Sequence, residues 1–184
     1  MTDPSDPVAA PGLASAAPDV AQPPLSRRER LTLRLEREAD LRLGPLGVWV
    51  FRRTRGRVAR LWKVDALVLT TRGRRTGRER TLVLRYFPDG DAMIVAAAND
   101  GGERHPAWYH NLRADPAARV EVDGRTIAVH AEELPPDEAR AAWRWIVEVQ
   151  PSYERFRRAT DRTIPILRLV PDAGPSTATA RRSE

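Results

Sequence analysis

The amino-acid sequence predicts an α+β fold, mainly β, in which a small antiparallel barrel carries flanking helices. Two hairpins support this prediction. The first joins Arg80–Phe87 to Ala92–Ala98 through the turn Pro88-Asp89-Gly90-Asp91, and the second joins Arg119–Val122 to Thr126–Glu132 through Asp123-Gly124. A last apolar run, Ile164–Val170, supplies a closing strand. Hairpins separated by few helices are typical of a small barrel.

The remaining elements of this predicted domain are one strand and three helices. An apolar run, Ala66–Thr71, predicts the first strand, which Arg72-Gly73 ends. The predicted helices are Pro106–Arg113, with Pro106 in its first turn and Asp115-Pro116 after its end, Pro136–Val149, and a short helix from Ser152 to about Thr160.

Before the barrel, the sequence predicts a disordered arm at 1–26 and amphipathic helices at 27–62. Gly44-Pro45 is expected to end the first helix, Arg27–Leu43. The second, Val48–Trp62, combines aromatic residues with arginines, so it suits either a membrane surface or the open end of a barrel. The barrel domain is predicted at 63–172 and a disordered tail at 173–184.

Composition excludes several classes of chemistry. The 184 residues contain no cysteine, which rules out thiol nucleophiles, iron–sulfur clusters and cysteine-based zinc sites. The net charge of +6 favours anionic partners: nucleic acid, anionic lipid, or a small molecule with phosphate or carboxylate groups. Codon usage is the alternative source of this charge, because Lys63 is the only lysine among 31 basic residues. No apolar run is long enough to span a membrane, and a cytoplasmic protein is expected.

The first motif with chemical content is the run TTRGRRTGRER, at positions 70–80. Two glycines permit a tight turn whose backbone N–H groups can face a common anion. Guanidinium groups match the oxygens of phosphates and carboxylates. The sequence therefore predicts an anion site here, with a solvated hairpin turn as the alternative. Arg74, Arg75, Arg78 and Arg80 surround this turn, and Thr76 adds a hydroxyl donor.

The second motif is the run AAANDGGERHPAWYHNL, at positions 96–112. It leaves a strand, crosses two glycines and enters a helix that carries aromatic and amide side chains, as the wall of a pocket for a flat ligand would. Core packing is an alternative for Trp108, which lies one helical turn from Leu112. A metal site is not expected, because five residues turn His105 and His110 about 140° apart on a helix. No Gly-x-Ser-x-Gly elbow supports a hydrolase.

These two motifs, followed by YERFRRATDRTIP at positions 153–165, resemble the deazaflavin-dependent nitroreductase family. Its members are actinobacterial split-barrel oxidoreductases that use the 8-hydroxy-5-deazaflavin coenzyme, coenzyme F-420. The resemblance spans about Val48 to Val170. It implies a split β-barrel of the flavin-reductase or FMN-binding type, and it implies an enzyme.

The resemblance also implies roles for the residues of each motif. Arg74, Arg75, Thr76 and Arg80 would hold the phosphate and acidic tail of the coenzyme, with Gly77 in the same turn. The strand end would offer backbone groups to the ring edge through Ala96, Ala98 and Asn99, and the helix would wall the ring with Trp108, Tyr109 and Asn111. The coenzyme supplies the hydride, and the protein supplies binding, orientation and a donor for the charge that develops on the acceptor.

The substrate side departs from the nitroimidazole-reducing members of that family. Ala98 stands where they have a serine near the ring, and Gln150 and Phe156 stand beside the retained Tyr153. A quinone-like acceptor is therefore expected, with nitroaromatic and enone acceptors as alternatives. Tyr153 and Tyr109 are the candidate catalytic proton donors. The segment Val48–Trp62 would bring the pocket near the inner face of the plasma membrane, where quinones dissolve.

Two hypotheses from other classes remain open at this stage. A basic nucleic-acid-binding module is supported only by the positive charge. The aromatic residues do not support it, because they do not alternate with arginines as stacking platforms would. A split-barrel protein without turnover, or one that binds FMN in place of the deazaflavin, is kept open by Ala98 and Phe156.

Overall fold

A computed structural model describes residues 25–54 and 65–172 of the chain. The described strands are β1 (Ala66–Arg72), β2 (Glu79–Arg85), β3 (Phe87–Asp89), β4 (Ala92–Ala96), β5 (Ala117–Val122), β6 (Arg125–Glu133) and β7 (Ile166–Pro171). The helices are α1 (Arg27–Thr54), α2 (Ala107–Ala114), α3 (Pro136–Val149) and α4 (Tyr153–Arg158), with a 3₁₀ turn at Asn99–Gly101. The predicted helix at Pro136–Val149 is confirmed, and most other strands and helices predicted for the barrel domain are found with shifted ends. The predicted single strand Arg80–Phe87 is wrong, because the chain divides at Tyr86 into β2, which pairs with β1, and β3, which alone forms the hairpin with β4.

The seven strands form one antiparallel sheet in the order β2-β1-β5-β6-β7-β4-β3. Strands β2 and β3 lie at opposite edges of this order, yet Tyr86 alone separates them in sequence. The sheet must therefore curl until its two edges meet, which confirms the predicted split barrel. A third hairpin, β1–β2, is closed by the arginine-rich turn.

Alternating side chains give the sheet two buried faces. On one face, Leu69, Val95 and Leu169 pack with Trp108 and Leu112 of α2. On the other face, Val68 packs against α1 at one end of the sheet, and Ile94 packs against α3 and α4 at the other end. The faces matter for function because they place α2 and α4 on opposite sides of the sheet.

The prediction that Gly44-Pro45 ends the first helix is wrong. Helix α1 runs unbroken through Pro45 for 28 residues. A proline inside a helix removes one hydrogen bond and costs free energy, so packing must hold the two halves. Leu33 is buried before the proline, and Val48 and Phe51 are buried against the sheet after it.

The other boundaries proposed for the N-terminal region stay predictions. Residues 1–24, 55–64 and 173–184 lie outside the described residues, so the second half of the predicted helix at 48–62, the proposed tail and most of the proposed arm fall there. The last two residues of that arm, Leu25 and Ser26, are described, and Leu25 is buried. Helix α1 includes charged residues throughout, and no described helix is long and apolar enough to cross a membrane.

Candidate functional site

The arginine-rich turn between β1 and β2 is closed by its own backbone. The N–H of Gly73 donates to the carbonyl of Arg78 at 2.8 Å, and the N–H of Gly77 donates to the carbonyl of Gly73 at 2.7 Å. Gly77 has φ +66°, in the region that favours glycine. A Cβ at Gly73 would meet the Arg78 carbonyl at 3.0 Å, so both glycines serve the tightness of this turn.

The guanidinium groups on this turn are free to meet a ligand. Arg74, Arg75, Arg78 and Arg80 are all exposed. None of the four side chains has a hydrogen bond or an ion pair with another residue in the part of the chain that the structure describes. The nearest acid in sequence, Glu79, is paired with Arg119 at 2.7 Å. The turn therefore carries four positive charges without a carboxylate partner.

Asn111 ties this turn to helix α2. Its Oδ1 accepts a hydrogen bond from the backbone N–H of Arg74 at 3.1 Å, and its Nδ2 donates to Oγ1 of Thr71 at 3.0 Å. The amide is buried, and both of its ends are used. Arg80 lies opposite Thr71 in the strand pair, so its side chain leaves the sheet on the side where Asn111 packs. Asn111 thus anchors the arginine-rich turn to α2.

The two aromatic residues predicted to wall a ring lie in the protein core. Trp108 packs with Leu112 against the sheet, as the core-packing alternative requires. Tyr109 is 4% exposed, and its hydroxyl donates to Oε2 of Glu133 at 3.0 Å. Burial, followed by this hydrogen bond, raises the pKa of Tyr109. Their described contacts do not place either ring beside a cavity.

Arg162, which the sequence did not single out as a site residue, is hydrogen-bonded to the strand end after β4. Ala96 is half-buried and Ala98 is buried. The guanidinium of Arg162 donates to the carbonyls of Ala97 and Ala98. Asn99 has φ +49°, and its side chain donates to the carbonyl of Arg104 at 2.8 Å.

A cavity of about 430 Å³ lies next to this strand end, between α1, the 3₁₀ turn and α4. Its lining residues are Arg30, Leu33, Asn99, Asp100, Gly101, Gly102, Glu103, Arg104 and Ala159. Among the predicted cofactor residues, Asn99 is the one that lines it. Helix α1 supplies one wall, a contribution that the sequence did not suggest.

Tyr153 lies on the opposite sheet face from Tyr109. Its ring makes edge contacts with Phe87 and Phe156, at centroid distances of 5.4 and 5.2 Å. Burial raises the pKa of Tyr153 to about 12, and the charge of Asp100 adds to this rise while Arg85 opposes it. Since Asp100 lines the cavity, Tyr153 is within electrostatic range of that wall.

The predicted site residues therefore fall into two groups. The first contains the arginine turn, Asn111 and the buried rings of α2. The second contains the strand end, the cavity and Tyr153. Gln150, noted in the sequence as a departure, instead accepts a hydrogen bond from Arg85 at 2.5 Å and so joins α3 to β2. Arg162 was missed, although it belongs to the third sequence motif, because a cation that binds main-chain carbonyls leaves no pattern in the sequence.

No group of three or more histidines and carboxylates suited to a metal is found within residues 25–54 and 65–172. His105 accepts a hydrogen bond from Arg162 on Nδ1, which places the ring proton of the neutral tautomer on Nε2. Burial and then the charge of Arg162 lower the pKa of His105.

Comparisons with known proteins find relatives of one family. A sequence profile of the F420H(2)-dependent quinone reductase family matches residues 46–171. An F420H(2)-dependent quinone reductase of Mycobacterium tuberculosis is 32% identical over 141 residues, covering 74% of this chain and 95% of its own length. The matched span includes the arginine turn, the strand end and the segment that carries Arg162.

Solved structures share the same fold. An F420-H2-dependent reductase aligns with a TM-score of 0.52 and 28% identity, over 57% of this chain and 93% of that protein. A second structure, described as a domain-swapped dimer, aligns with a TM-score of 0.53 and 26% identity, over 67% and 98% of the two chains.

Proposed function

The chain belongs to the F420H(2)-dependent quinone reductase family, and we propose that it transfers a hydride from reduced coenzyme F-420 to a quinone-like acceptor. The observation that carries this proposal is the cluster of four unpaired arginines on a turn anchored by Asn111. Nitroaromatic and enone acceptors belong to the same proposal as alternative substrates, because each can take up a hydride at an electron-poor carbon or oxygen atom.

The residues of the turn fit the anionic part of the coenzyme, which bears a phosphate and a tail with several carboxylates. Arginines that already held acidic partners would have to exchange them for the ligand. Here Arg74, Arg75 and Arg80 have none in the described chain, so binding phosphate and carboxylate costs no existing ion pair. These three residues, together with Thr76, would hold this part of the coenzyme.

The flat ring requires a different surface, and the cavity beside Asn99 supports its binding or that of the acceptor. Its glycine-rich wall lets a planar ligand approach the backbone closely. When bound in its reduced form, the coenzyme supplies the hydride. The protein has to orient the two ligands, exclude water, and supply a proton donor.

Tyr153 is the better of the two candidate donors. A pKa of about 12 keeps its hydroxyl protonated throughout the physiological range, so it can donate a hydrogen bond to an oxygen that gains negative charge. The hydroxyl has no hydrogen-bond partner among the described residues. Tyr109, by contrast, already donates to Glu133 from a buried position, and on this basis we assign Tyr109 to the core.

Fluorescence titration of the coenzyme into the purified protein tests this function. We expect binding at micromolar concentrations, and we expect the double variant Arg75→Ala/Arg80→Ala to weaken it at least tenfold, since each lost charge-assisted hydrogen bond costs about 1.5–3 kcal/mol. The control, Arg140→Ala/Arg168→Ala, removes the same charge from arginines outside the turn, which are already paired with Asp137 and Asp89.

The control should bind the coenzyme almost as the wild type does, which would separate a local site from general attraction by the net charge. No wild-type binding at tens of micromolar would refute the proposed function. Equal weakening of coenzyme binding by both double variants would contradict a binding site on the turn.

We also propose that the protein lies on the surface of an anionic membrane. The segment proposed from the sequence, residues 48–62, is described up to 54, and Trp49 is strongly exposed there. Leu31, Leu35 and Leu46 are exposed on the same helix. An apolar stripe beside exposed arginines is typical of helices that bind anionic lipid headgroups, and quinones with long tails reside in such membranes.

A further inference from the structure

Arg162 is half-buried behind the strand end, and its hydrogen bonds are unusual for an arginine. Nε donates to the carbonyl of Gly102 at 2.8 Å. One terminal nitrogen donates to Nδ1 of His105 at 3.0 Å and to the carbonyl of Thr163 at 3.3 Å. The other donates to the carbonyls of Ala97 and Ala98 at 3.1 and 2.6 Å. All five donors of the guanidinium are thus used, and every acceptor is neutral.

The positive charge of Arg162 is therefore not matched by a carboxylate. Two other arginines of the described chain do have such a partner: Arg168 pairs with Asp89 at 2.8 Å, and Arg157 pairs with Glu154 at 2.6 Å. Removing a charge from water without a partner costs free energy. The same burial lowers the pKa of Arg162 from its ordinary value, although an arginine stays charged at any physiological pH.

The bonds of Arg162 fix a wall of the cavity. They join both ends of the segment from Ala97 to His105, within which Asn99, Asp100 and Gly101 all have positive φ. Such a conformation is costly for residues other than glycine and persists only where its surroundings hold it. Because peptide groups are planar and trans, carbonyls that face the guanidinium turn the following N–H groups, at Ala98, Asn99 and Glu103, to the other side.

We propose that Arg162 is a positioning residue for hydride transfer, which holds this cavity wall and places an uncompensated positive charge behind it. The proposal rests on the proposed function. In that reaction a C–H bond of the reduced coenzyme breaks and its hydrogen, with both electrons, bonds to the quinone. The quinone is reduced, the coenzyme is oxidised, and the negative charge on the quinone oxygen persists until that oxygen takes a proton. A fixed cation close to the cavity favours this charge.

Two substitutions distinguish the two proposed roles of Arg162, which are to hold the cavity wall by hydrogen bonds and to supply a positive charge. Arg162→Gln removes the charge and most of the donors, whereas Arg162→Lys keeps the charge and loses the planar set of five donors. The matched control is Arg168→Gln, which removes an arginine whose partners are carboxylates. Amide hydrogen exchange on the unliganded proteins measures how firmly the cavity wall is held. Steady-state reduction of a water-soluble quinone measures how the charge of Arg162 affects the reaction.

We expect faster exchange across residues 97–105 in both Arg162 variants and not in the control. We expect KM for the quinone to rise in both Arg162 variants, and kcat to fall by about tenfold or more in Arg162→Gln only. A kcat that falls equally in the lysine variant would show that the charge contributes nothing. Unchanged exchange in both variants would refute the role in the wall.

These outcomes are distinguishable from failure of the proposed function. A wild-type protein that neither binds the coenzyme nor reduces quinones would overturn the proposed function and the charge role together. The exchange data would then still decide whether Arg162 holds the wall, since they require no ligand. If Arg162→Gln does not fold, the lysine variant decides the same point, with circular dichroism as the check on folding.

Discussion

Gly101 shows how tightly a single residue constrains the cavity wall. Its φ is +71°, and a Cβ built on it would lie 2.4 Å from Cβ of Ala159 and 3.0 Å from the carbonyl of Phe156. Helix α4 therefore approaches the 3₁₀ turn as closely as it does only because residue 101 lacks a side chain. The fold and the cavity depend on the same glycine.

The variant Gly101→Ala should be strongly destabilised. A left-handed backbone costs alanine about 1–2 kcal/mol, and the overpacking against α4 costs about 1–3 kcal/mol more. Urea denaturation at equilibrium should thus show a loss of about 3 kcal/mol in the free energy of unfolding.

Gly90→Ala is the matched control for this substitution. Gly90 has φ +60° but no atom within 4 Å of its added Cβ. Only the backbone cost remains there, so we expect a loss of about 1 kcal/mol. Equal losses at the two positions would contradict the close approach of α4.

At the scale of elements, the end of the β6–β7 pair carries a small charge cluster. His130 of β6 lies between two acids: its Nδ1 is 3.0 Å from Oδ1 of Asp172, and its Nε2 is 3.1 Å from Oε1 of Glu132. The hydrogen bond to Asp172, followed by the contact with Glu132, raises the pKa of His130. The cluster therefore joins β6 to the residue that follows β7.

A raised pKa in the folded state fixes the sign of the pH dependence. Below about pH 6.5, the ordinary pKa of histidine, His130 is charged in both states and its attraction to the acids stabilises the fold. This contribution is lost as the pH rises through the higher folded-state value. The difference in Tm between wild type and His130→Gln should therefore be larger at pH 5.5 than at pH 8.5.

The comparison between variants removes the contribution of every other titrating group, because those groups are common to both proteins. Asp172→Asn provides a second check, since it removes the largest cause of the shift while leaving the imidazole in place. A Tm difference that is flat or grows with pH would contradict the assignment.

Helix α1 shows where an element-level prediction failed. Gly44-Pro45 is a common local signal for the end of a helix. Here the packing of the residues before and after Pro45 outweighs that signal. Leu33 and Phe51, eighteen positions apart, are both buried. Their burial aligns the two halves into one helix that reaches from the cavity to the β1–β2 hairpin.

At the scale of the whole molecule, the barrel was predictable because its hairpins carry local turn signals. Asp123-Gly124 lies between two runs that the observed strands β5 and β6 match closely. Gly90-Asp91 also marks a hairpin, although Phe87–Asp89 supplies its first strand in place of the longer predicted run. The curl of the sheet could not be derived in this way. It depends on pairing between distant strands, such as β1 with β5 and β4 with β7.

The candidate site was predictable only in part. The arginine turn is continuous in sequence, so its charge and its glycines can be read directly. The role of Asn111 depends on a contact with Thr71, forty positions away, and the cavity depends on helix α1 lying against the 3₁₀ turn. The sequence pattern of Trp108 and Tyr109 fits both a role in the core and a role in the wall of a ligand pocket, so it could not decide between the two.

The exposed stripe of α1 leads to a prediction for the whole molecule. Leu31, Leu35, Leu46 and Trp49 are between 55% and 62% exposed. At 100° per residue they lie within an arc of about 60°, opposite the buried Leu33, Val48 and Phe51. Exposed arginines on the same helix, Arg28 and Arg53, give this side a positive charge. Anionic lipid headgroups match both properties.

The full chain should therefore sediment with phosphatidylglycerol vesicles, and Leu46→Ser/Trp49→Ser should weaken binding more than tenfold, because each lost apolar side chain is worth about 1.5–3 kcal/mol. Val149→Ser is the matched control, since Val149 is equally exposed on α3, and it should bind as the wild type does. Failure of the wild type to sediment would refute membrane contact. A wild-type dimer that the double serine variant converts to a monomer would assign the stripe to a second copy of the chain instead.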